Sequence, residues 1–155
     1  MRKANASMQL TRAADYGVRV MIQLTTLKGN GRVSLACLAR ATGAPESFLS
    51  KVLQSLTRGG LISSRRGQTG GFHIAPRGAA ASIREVIEAI DGAICLNVCL
   101  SPGRSCARRA HCPAHPVWIE AQQAMMEVLA RATIASLAAA AGSRAEQNVA
   151  KLAAL

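Results

Sequence analysis

Aromatic residues are scarce in this chain of 155 residues, of which they make up only 3%, while alanine is abundant. Aromatic side chains favour β-strands, whereas alanine is the strongest helix former. The composition therefore favours packed helices over a β-sandwich. The length suits one globular domain with a core of its own.

Acidic residues are also few. The chain has 8 Asp and Glu residues against 19 Lys and Arg residues, which gives a formal net charge of +11. Solubility alone would be satisfied by a smaller excess of either sign. So much positive charge on a small domain favours a polyanionic partner, above all nucleic acid.

A set of catalytic groups is missing. We find no combination of nucleophile, base and acid, and the glycine-rich stretch GGLISSRRGQTGG lacks the lysine and serine or threonine pairing of a phosphate-binding loop. An enzyme is the least favoured class of function, and no catalytic residue is predicted.

Long apolar runs are missing as well. The run over 18–24 is interrupted by Arg19 and Gln23, and the run near Ile134 is short and rich in alanine. Neither a signal peptide nor a membrane span is predicted, so we expect a cytoplasmic protein. Structural disulfides are rare in that compartment, where clustered cysteines are more often metal ligands or redox groups.

Start and stop signals divide the first half of the chain into short helices. After a flexible leader over 1–7, Thr11 and Ser34 are the predicted N-caps of the first two helices, and Gly43 breaks the second. A third helix follows Pro45 with apolar residues at i, i+3, i+4 and i+7. These are Leu49, Val52, Leu53 and Leu56. Two short helices around a tight glycine turn are typical of a helix-turn-helix.

A short β-hairpin is predicted directly after these helices. Strands over 61–64 and 72–75 flank a glycine-rich loop that carries Arg65 and Arg66. A fourth helix follows with a capping box, Ser82 and Glu85, and ends at Gly92. We therefore expect a mainly α fold in which residues 8–92 form a winged helix-turn-helix with a small β-hairpin wing.

The C-terminal part predicts one long helix over 113–140, followed by a flexible tail over 141–155. Such a helix is about 40 Å long, longer than the core of the domain, so it needs a partner. A narrow apolar stripe from Trp118 through Met125 and Val128 repeats near every 3.5 residues. The pattern predicts a dimerisation helix that packs on the same helix of a second copy.

The exposed face of the third helix predicts a DNA-binding surface. Its side chains donate to phosphates and base edges, and no acid follows Glu46. The predicted contacts on this helix are Ser47, Ser50, Lys51, Gln54, Ser55 and Arg58. Arg65 and Arg66 on the wing suit phosphates or an adjacent minor groove. A homodimer would present two such helices to double-stranded DNA, so we expect a palindromic operator.

A cysteine loop over 93–112 contains the candidate ligands for a metal or redox site. Cys99, Cys106, Cys112 and His115 follow the spacing C-x6-C-x5-C-x2-H. Thiolates and imidazole suit an iron–sulfur cluster or zinc, and a reversible disulfide switch also remains open.

The start of the long helix favours an anionic centre. Pro113 and Pro116 fit a first helical turn, which predicts Cys112 as N-cap and places His115 at the positive end of the helix dipole. Three arginines add positive charge and favour thiolates. They are Arg104, Arg108 and Arg109.

The other cysteines and histidines are assigned structural positions. Cys37 is predicted to be a small core residue, and Cys95 a buried residue at the loop entrance. His111 is predicted to be exposed, and His73 to belong to the wing.

Four segments together resemble the Rrf2 family of bacterial winged-helix repressors. They are MQLTRAADYGVRVMIQL from Met8, SFLSKVLQSLTRGGLISSRRGQTGGF, SIREVIEAIDG, and the cysteine loop running into HPVW. The resemblance covers residues 8 to about 137. It implies a homodimeric transcription regulator whose operator binding responds to iron–sulfur, redox or nitric oxide status.

The resemblance also implies a ligand set. Three loop cysteines hold a cluster in this family and fall on Cys99, Cys106 and Cys112. The fourth ligand is a histidine in IscR-like members, here His115, or an aspartate from the other subunit in NsrR-like members, here Asp15. We favour His115 because it is close to the thiols in sequence. The first gap has six residues where IscR-like loops have five, which leaves 2Fe-2S and 4Fe-4S both open.

Overall fold

The computed structural model describes residues 10–27, 31–104 and 106–153, so the predicted leader over 1–7 lies outside the described residues. The described part forms six α-helices and one two-stranded sheet. The elements are α1 (Arg12–Thr26), α2 (Leu35–Thr42), α3 (Glu46–Arg58), β1 (Ile62–Arg65), β2 (Gly71–Ile74), α4 (Ile83–Asp91), α5 (His115–Arg131) and α6 (Ile134–Ala153). Two short 3₁₀ turns, Val98–Leu100 and Arg109–His111, lie in the cysteine loop.

The helix starts follow the predicted caps. The side chains of Thr11 and Ser34 accept hydrogen bonds from backbone N–H groups in the first turns of α1 and α2. Ser82 and Glu85 form the predicted capping box of α4. Gly43 ends α2 with a φ of 70°, a left-handed conformation that glycine adopts without strain.

The core lies between α1 and the helices packed around it, namely α2, α3, α4 and α6. The predicted apolar face of α3 is buried there. It packs with fully buried side chains of the other helices, including Val20, Met21, Leu38, Val86 and Ile134. Each such side chain contributes about 1.5–3 kcal/mol on burial, so α3 is held firmly against the rest of the domain.

The wing is an antiparallel hairpin in which Ile62 lies opposite Ile74 and Arg65 opposite Gly71. Each strand differs from its predicted range by one residue at either end. The Leu61 N–H donates to the Leu56 carbonyl in the turn that follows α3, so β1 begins only at Ile62. An isolated bridge between Val33 and Phe72 ties the hairpin to the segment before α2. The wing is therefore fixed to both ends of the helix-turn-helix.

The prediction of one long helix over 113–140 is wrong. α5 ends at Arg131, and Ala132 takes an extended conformation before α6 begins. The break is held by backbone hydrogen bonds, because the Ala132 carbonyl accepts from Ile83 N–H and Ile134 N–H donates to the Ala81 carbonyl. Alanine-rich sequence on both sides has high helix propensity and hides this break. α5 is consequently about 25 Å long, not 40 Å.

The predicted flexible tail over 141–155 is also corrected, since α6 continues through residue 142 to Ala153. Thr133 supplied a start signal for this helix: its hydroxyl accepts from the Ser136 N–H, and Ser136 Oγ donates back to the Thr133 carbonyl. The α6 helix packs on α1, so it belongs to the domain.

The α5 helix has no buried residue within the described chain. Its apolar side chains Val117 and Val128 are 58% and 56% exposed, and Trp118 and Ile119 are exposed as well. Trp118 and Val128 belong to the predicted dimerisation stripe. Among the described residues, no helix is both long and apolar enough to cross a membrane.

Candidate nucleic-acid interface and cysteine pocket

The recognition groove is a depression of about 430 Å³ between α3 and the wing. It is lined by Ser50, Gln54, Thr57, Arg58, Ser64, Arg65, Arg66 and Phe72. Five of the predicted DNA-binding residues thus come together here. Ser47 and Lys51 are exposed on α3 outside the groove, and Ser55 lies half-buried beside it.

Three groove residues were not predicted. Ser64 pairs with Phe72 across the hairpin, and Thr57 lies in the last turn of α3. The alternation of side chains along β1 could have identified Ser64 as a neighbour of the groove. Thr57 donates its hydroxyl hydrogen to the Leu53 carbonyl, so it closes the helix and leaves no donor for a ligand.

The charge of the recognition groove is not compensated within the described residues. The ion pairs among the described residues join Asp15 to Arg19, Arg77 to Glu85 and Arg84 to Glu88. None of these pairs involves Arg58, Arg65 or Arg66. Arg58 donates to the Ser55 hydroxyl, which orients its guanidinium without neutralising it. The groove is therefore a cationic surface open to a polyanion.

The cysteine pocket is a second cavity, of about 300 Å³, at the start of α5. It is lined by Asn97, Val98, Cys99, Cys106, Arg108, Arg109, Cys112, His115 and Trp118. The three predicted thiols and His115 thus share one pocket. All three cysteines are free and half-buried. Arg104 is exposed in the loop and does not line it.

The local turn at the start of α5 differs from the prediction. The residue that caps α5 is Ala114, not Cys112, and His115 and Pro116 open the first turn. The His115 N–H donates to the Cys112 carbonyl at 3.1 Å, which makes a tight turn just before the helix. Cys112 is extended there. Its sulfur is thus placed on the pocket while its carbonyl holds the turn.

His115 has one ring nitrogen engaged and one without a partner. Arg109 Nε donates to His115 Nε2 at 3.1 Å. His115 Nδ1 is buried and has no hydrogen-bond partner among the described residues. Because Nε2 accepts, the proton of the neutral ring is assigned to Nδ1. An unpaired buried donor is costly, so the polar side of this pocket is not fully satisfied.

The pocket is connected to α5 at a second point. Gln122 on α5 accepts a hydrogen bond from the Leu96 N–H at 2.9 Å. The neighbouring Cys95 is half-buried, and its thiol donates to the Leu100 carbonyl, so it closes the loop and does not line the pocket. The entrance and the exit of the loop are therefore both attached to one helix.

Asp15 is not brought to the pocket within one chain. It lies in the first turn of α1, exposed, and binds Arg19 with 2.9 Å between Oδ2 and Nη2. Throughout the part of the chain that the structure describes, no three His, Cys, Asp or Glu side chains converge closely enough to hold a metal ion.

The remaining cysteine and histidines have clear positions. Cys37 is exposed on α2, so its assignment to the core is wrong: the buried face of that helix consists of Leu38, Ala39 and Thr42. His111 is exposed, as predicted, and His73 lies on β2 of the wing.

Comparisons with known proteins agree with this arrangement. The model of the Rrf2 family, described as an iron-dependent transcriptional regulator, matches residues 10–140. An HTH-type transcriptional regulator of Mycobacterium tuberculosis is 32% identical over 146 residues, 94% of this chain and 89% of the relative. The regulator IscR of Klebsiella pneumoniae is 28% identical over 130 residues, 84% of this chain and 79% of the relative. The structure of CymR, the global cysteine regulator of B. subtilis, aligns with a TM-score of 0.68 and 27% identity over 86% of this chain and 98% of its own.

Proposed function

The chain belongs to the Rrf2 family of transcriptional regulators, and from this premise we propose that it is a cytoplasmic repressor whose operator affinity is set by an iron–sulfur cluster. The family is one of DNA-binding regulators and not of enzymes, which confirms the fold class and the exclusion of an enzyme. Beyond family membership, we propose a palindromic operator, a homodimer and an iron–sulfur cluster.

The recognition groove carries the DNA-binding part of the proposal. α3 places Ser50, Gln54 and Arg58 on its exposed side, while the wing adds Arg65 and Arg66. In helix-turn-helix proteins the second helix enters the major groove, and the wing arginines then reach phosphates or the adjacent minor groove. Ser47 and Lys51 extend the contact surface towards the start of α3.

The exposed apolar face of α5 supports a homodimer. Val117, Trp118 and Val128 are exposed, and no residue of α5 is buried within the described chain. A second copy would bury them by two-fold symmetry, in which the same surface is used twice. Two recognition grooves related by that axis would read a palindromic operator.

The cysteine pocket supports the cofactor. A soft metal centre prefers thiolates, and Cys99, Cys106 and Cys112 line one cavity with two arginines that stabilise negative charge. The buried Nδ1 of His115 has no hydrogen-bond partner among the described residues, and a group bound in this pocket could supply one. We therefore assign the three thiolates as ligands, with the loop tightening around them. A bound cluster would supply sensitivity to oxidants and nitric oxide.

We favour His115 over Asp15 as the fourth ligand because of where the two residues lie. His115 lines the pocket, whereas Asp15 is exposed on α1 and paired with Arg19. Asp15 would have to come from the partner subunit and lose this ion pair. We keep it as the second candidate.

The connections of the loop suggest how the pocket affects DNA binding. Leu96 is bonded to Gln122 on α5, and α5 packs on α4, which packs on α3. Closing the loop around a centre would shift the population of the dimer between arrangements of its two recognition helices. For this coupling, the two arrangements of the dimer must differ in their free energy of binding the cluster. A continuous path of contacts between the pocket and the recognition helices is not required.

Zinc and a thiol switch are the alternatives. Three cysteines and one histidine also suit tetrahedral zinc. The similarity to CymR, described as a global cysteine regulator, keeps thiol chemistry open. These alternatives share the DNA-binding part of the proposal and differ in what the pocket holds.

Anaerobic purification tests the cofactor directly. We expect a coloured protein with iron and acid-labile sulfide, whose absorption and Mössbauer spectra report nuclearity. Cys106→Ser should lose the iron, while Cys37→Ser, an exposed cysteine on α2, should keep it. A colourless protein with one zinc per chain would contradict the cluster. The same spectra of His115→Ala and Asp15→Ala identify the fourth ligand.

A further inference from the structure

Arg109 and His115 both line the cysteine pocket, and a side-chain hydrogen bond joins them. Arg109 belongs to the 3₁₀ turn over Arg109–His111, and His115 is the first residue of α5. The guanidinium Nε donates to Nε2 of the imidazole at 3.1 Å. The contact joins the last part of the loop to the helix that follows it.

We propose that Arg109 is a positioning residue that caps His115 in the metal-free chain and must leave before this histidine can bind a metal. The inference rests on the proposed function of the pocket and adds a regulatory step to it. The cap occupies the lone pair of His115 and so lowers the affinity of the pocket for a metal bound through this histidine.

The chemistry of the ring makes the two roles exclusive. A neutral imidazole has one nitrogen with a free lone pair, and here that lone pair accepts from Arg109. A metal needs the same lone pair. Arginine remains protonated and only donates, so it cannot become a ligand itself.

Binding through the other ring nitrogen does not avoid this conflict. If Nδ1 bound the metal, the proton would have to move to Nε2, where it would face the Nε–H of Arg109. Two donors at 3.1 Å repel each other, so the contact would still be lost. Nδ1 is buried without a partner, and nothing among the described residues stabilises its proton in the capped state.

Arg108 offers a matched control. It lines the same pocket and carries the same charge, but it makes no hydrogen bond to His115 in the described structure. Replacing either arginine by methionine removes one positive charge and keeps most of the aliphatic length of the side chain. The electrostatic effect on a bound cation is therefore similar, and the difference between the variants isolates the cap.

Co(II) is a suitable probe, since it binds thiolate and imidazole ligands and absorbs visible light when bound. We would titrate it anaerobically into the reduced full chain and follow its thiolate charge-transfer bands and the fluorescence of Trp118. This residue is the only tryptophan and lines the pocket. We expect Arg109→Met to tighten Co(II) binding about three- to tenfold beyond Arg108→Met, the net worth of one typical hydrogen bond.

A second pair of variants tests whether the effect passes through the ring. In a His115→Ala background there is no lone pair to cap, so Arg109→Met and Arg108→Met should change Co(II) affinity equally. Equal effects of the two arginine variants in the wild-type background would overturn the proposal. So would weaker Co(II) binding by Arg109→Met, or an advantage of Arg109→Met that persists without His115.

Nitrogen-15 NMR of the metal-free chain separates failure of the cap from failure of the proposed function. We expect the His115 ring to carry its proton on Nδ1, and its Nε2 resonance to shift in Arg109→Met but not in Arg108→Met. An unchanged Nε2 resonance in Arg109→Met overturns the cap even if the protein holds an iron–sulfur cluster. A shifted resonance together with a chain that binds no metal would instead overturn the cofactor proposal, and with it the regulatory role of the cap.

Discussion

Replacing Arg65 by methionine should remove one phosphate contact from each wing of the proposed dimer. Arg65 is the last residue of β1, lies in the recognition groove and has no carboxylate partner within the described residues. Methionine keeps most of the aliphatic length and removes only the charge. Because Arg65 is exposed at the edge of a hairpin, the fold should be unaffected.

The expected magnitude follows from counterion release. Each lysine or arginine that neutralises a phosphate contributes a slope of about −0.9 to the plot of log affinity against log salt. The dimer loses two contacts, so the slope should become less steep by about 1.8. At ~0.15 M salt each contact is worth about 1 kcal/mol, which predicts operator binding weaker by about 30-fold.

Operator affinity measured at four or more salt concentrations tests this prediction. Arg84→Met is the matched control, because it removes the same charge from α4, where Arg84 pairs with Glu88 outside the recognition groove. Its salt slope should equal that of the wild type. Equal slopes for Arg65→Met and the wild type would refute the assignment of the wing to the phosphate backbone.

Three further changes test the fold and the assembly. Ile134→Ala should lower the free energy of unfolding by about 2–5 kcal/mol in urea denaturation, because Ile134 is completely buried where α6 begins; a loss below that range would contradict its place in the core. Val128→Asp should yield a monomer in sedimentation experiments with unchanged helix content, since this exposed side chain belongs to the proposed dimer face; a persistent dimer would exclude this face of α5. The Ser82 backbone N–H donates to Glu85 and lowers the pKa of that carboxyl below its ordinary value of 4.5. The ionised Glu85 therefore stabilises the fold above pH 4.5, and this stabilisation is lost as the pH falls through the lower pKa of the folded state. Glu85→Gln should therefore reduce the acid dependence of unfolding, and an unchanged dependence would contradict the capping box.

Local signals predicted the first half of the chain well. Thr11, Ser34 and Ser82 each precede a helix and cap it through a bond that spans only three residues. Gly43 marks a left-handed turn that few other residues adopt. Such features depend on adjacent residues, and sequence alone is sufficient to find them.

The break between α5 and α6 depends on distant contacts and was missed. Residues 132–135 pair with residues 79–83, a separation of about fifty positions that no periodicity reveals. Only the Thr133 cap gave a local signal. Cys37 was assigned to the core for a similar reason: its residue type favours burial, but the packing of α2 turns that position outward.

Four residues that the sequence singled out line one pocket in the structure, and their role as metal ligands stays a prediction. The sequence spacing identified Cys99, Cys106, Cys112 and His115, which line one pocket. The Arg109–His115 hydrogen bond could not be predicted, because it depends on the 3₁₀ turn that orients the guanidinium. The assignment of Cys112 as N-cap failed because its carbonyl holds the preceding turn.

The most direct test of the account is the operator affinity of the iron–sulfur-loaded and the metal-free protein at the same salt concentration. Allosteric coupling of this kind is worth about 1–3 kcal/mol, so the two dissociation constants should differ by about 5- to 150-fold. The difference should disappear in Cys106→Ser, whose pocket lacks one thiolate. Equal affinities of the loaded and metal-free wild-type protein would contradict the claim that the cysteine pocket controls DNA binding.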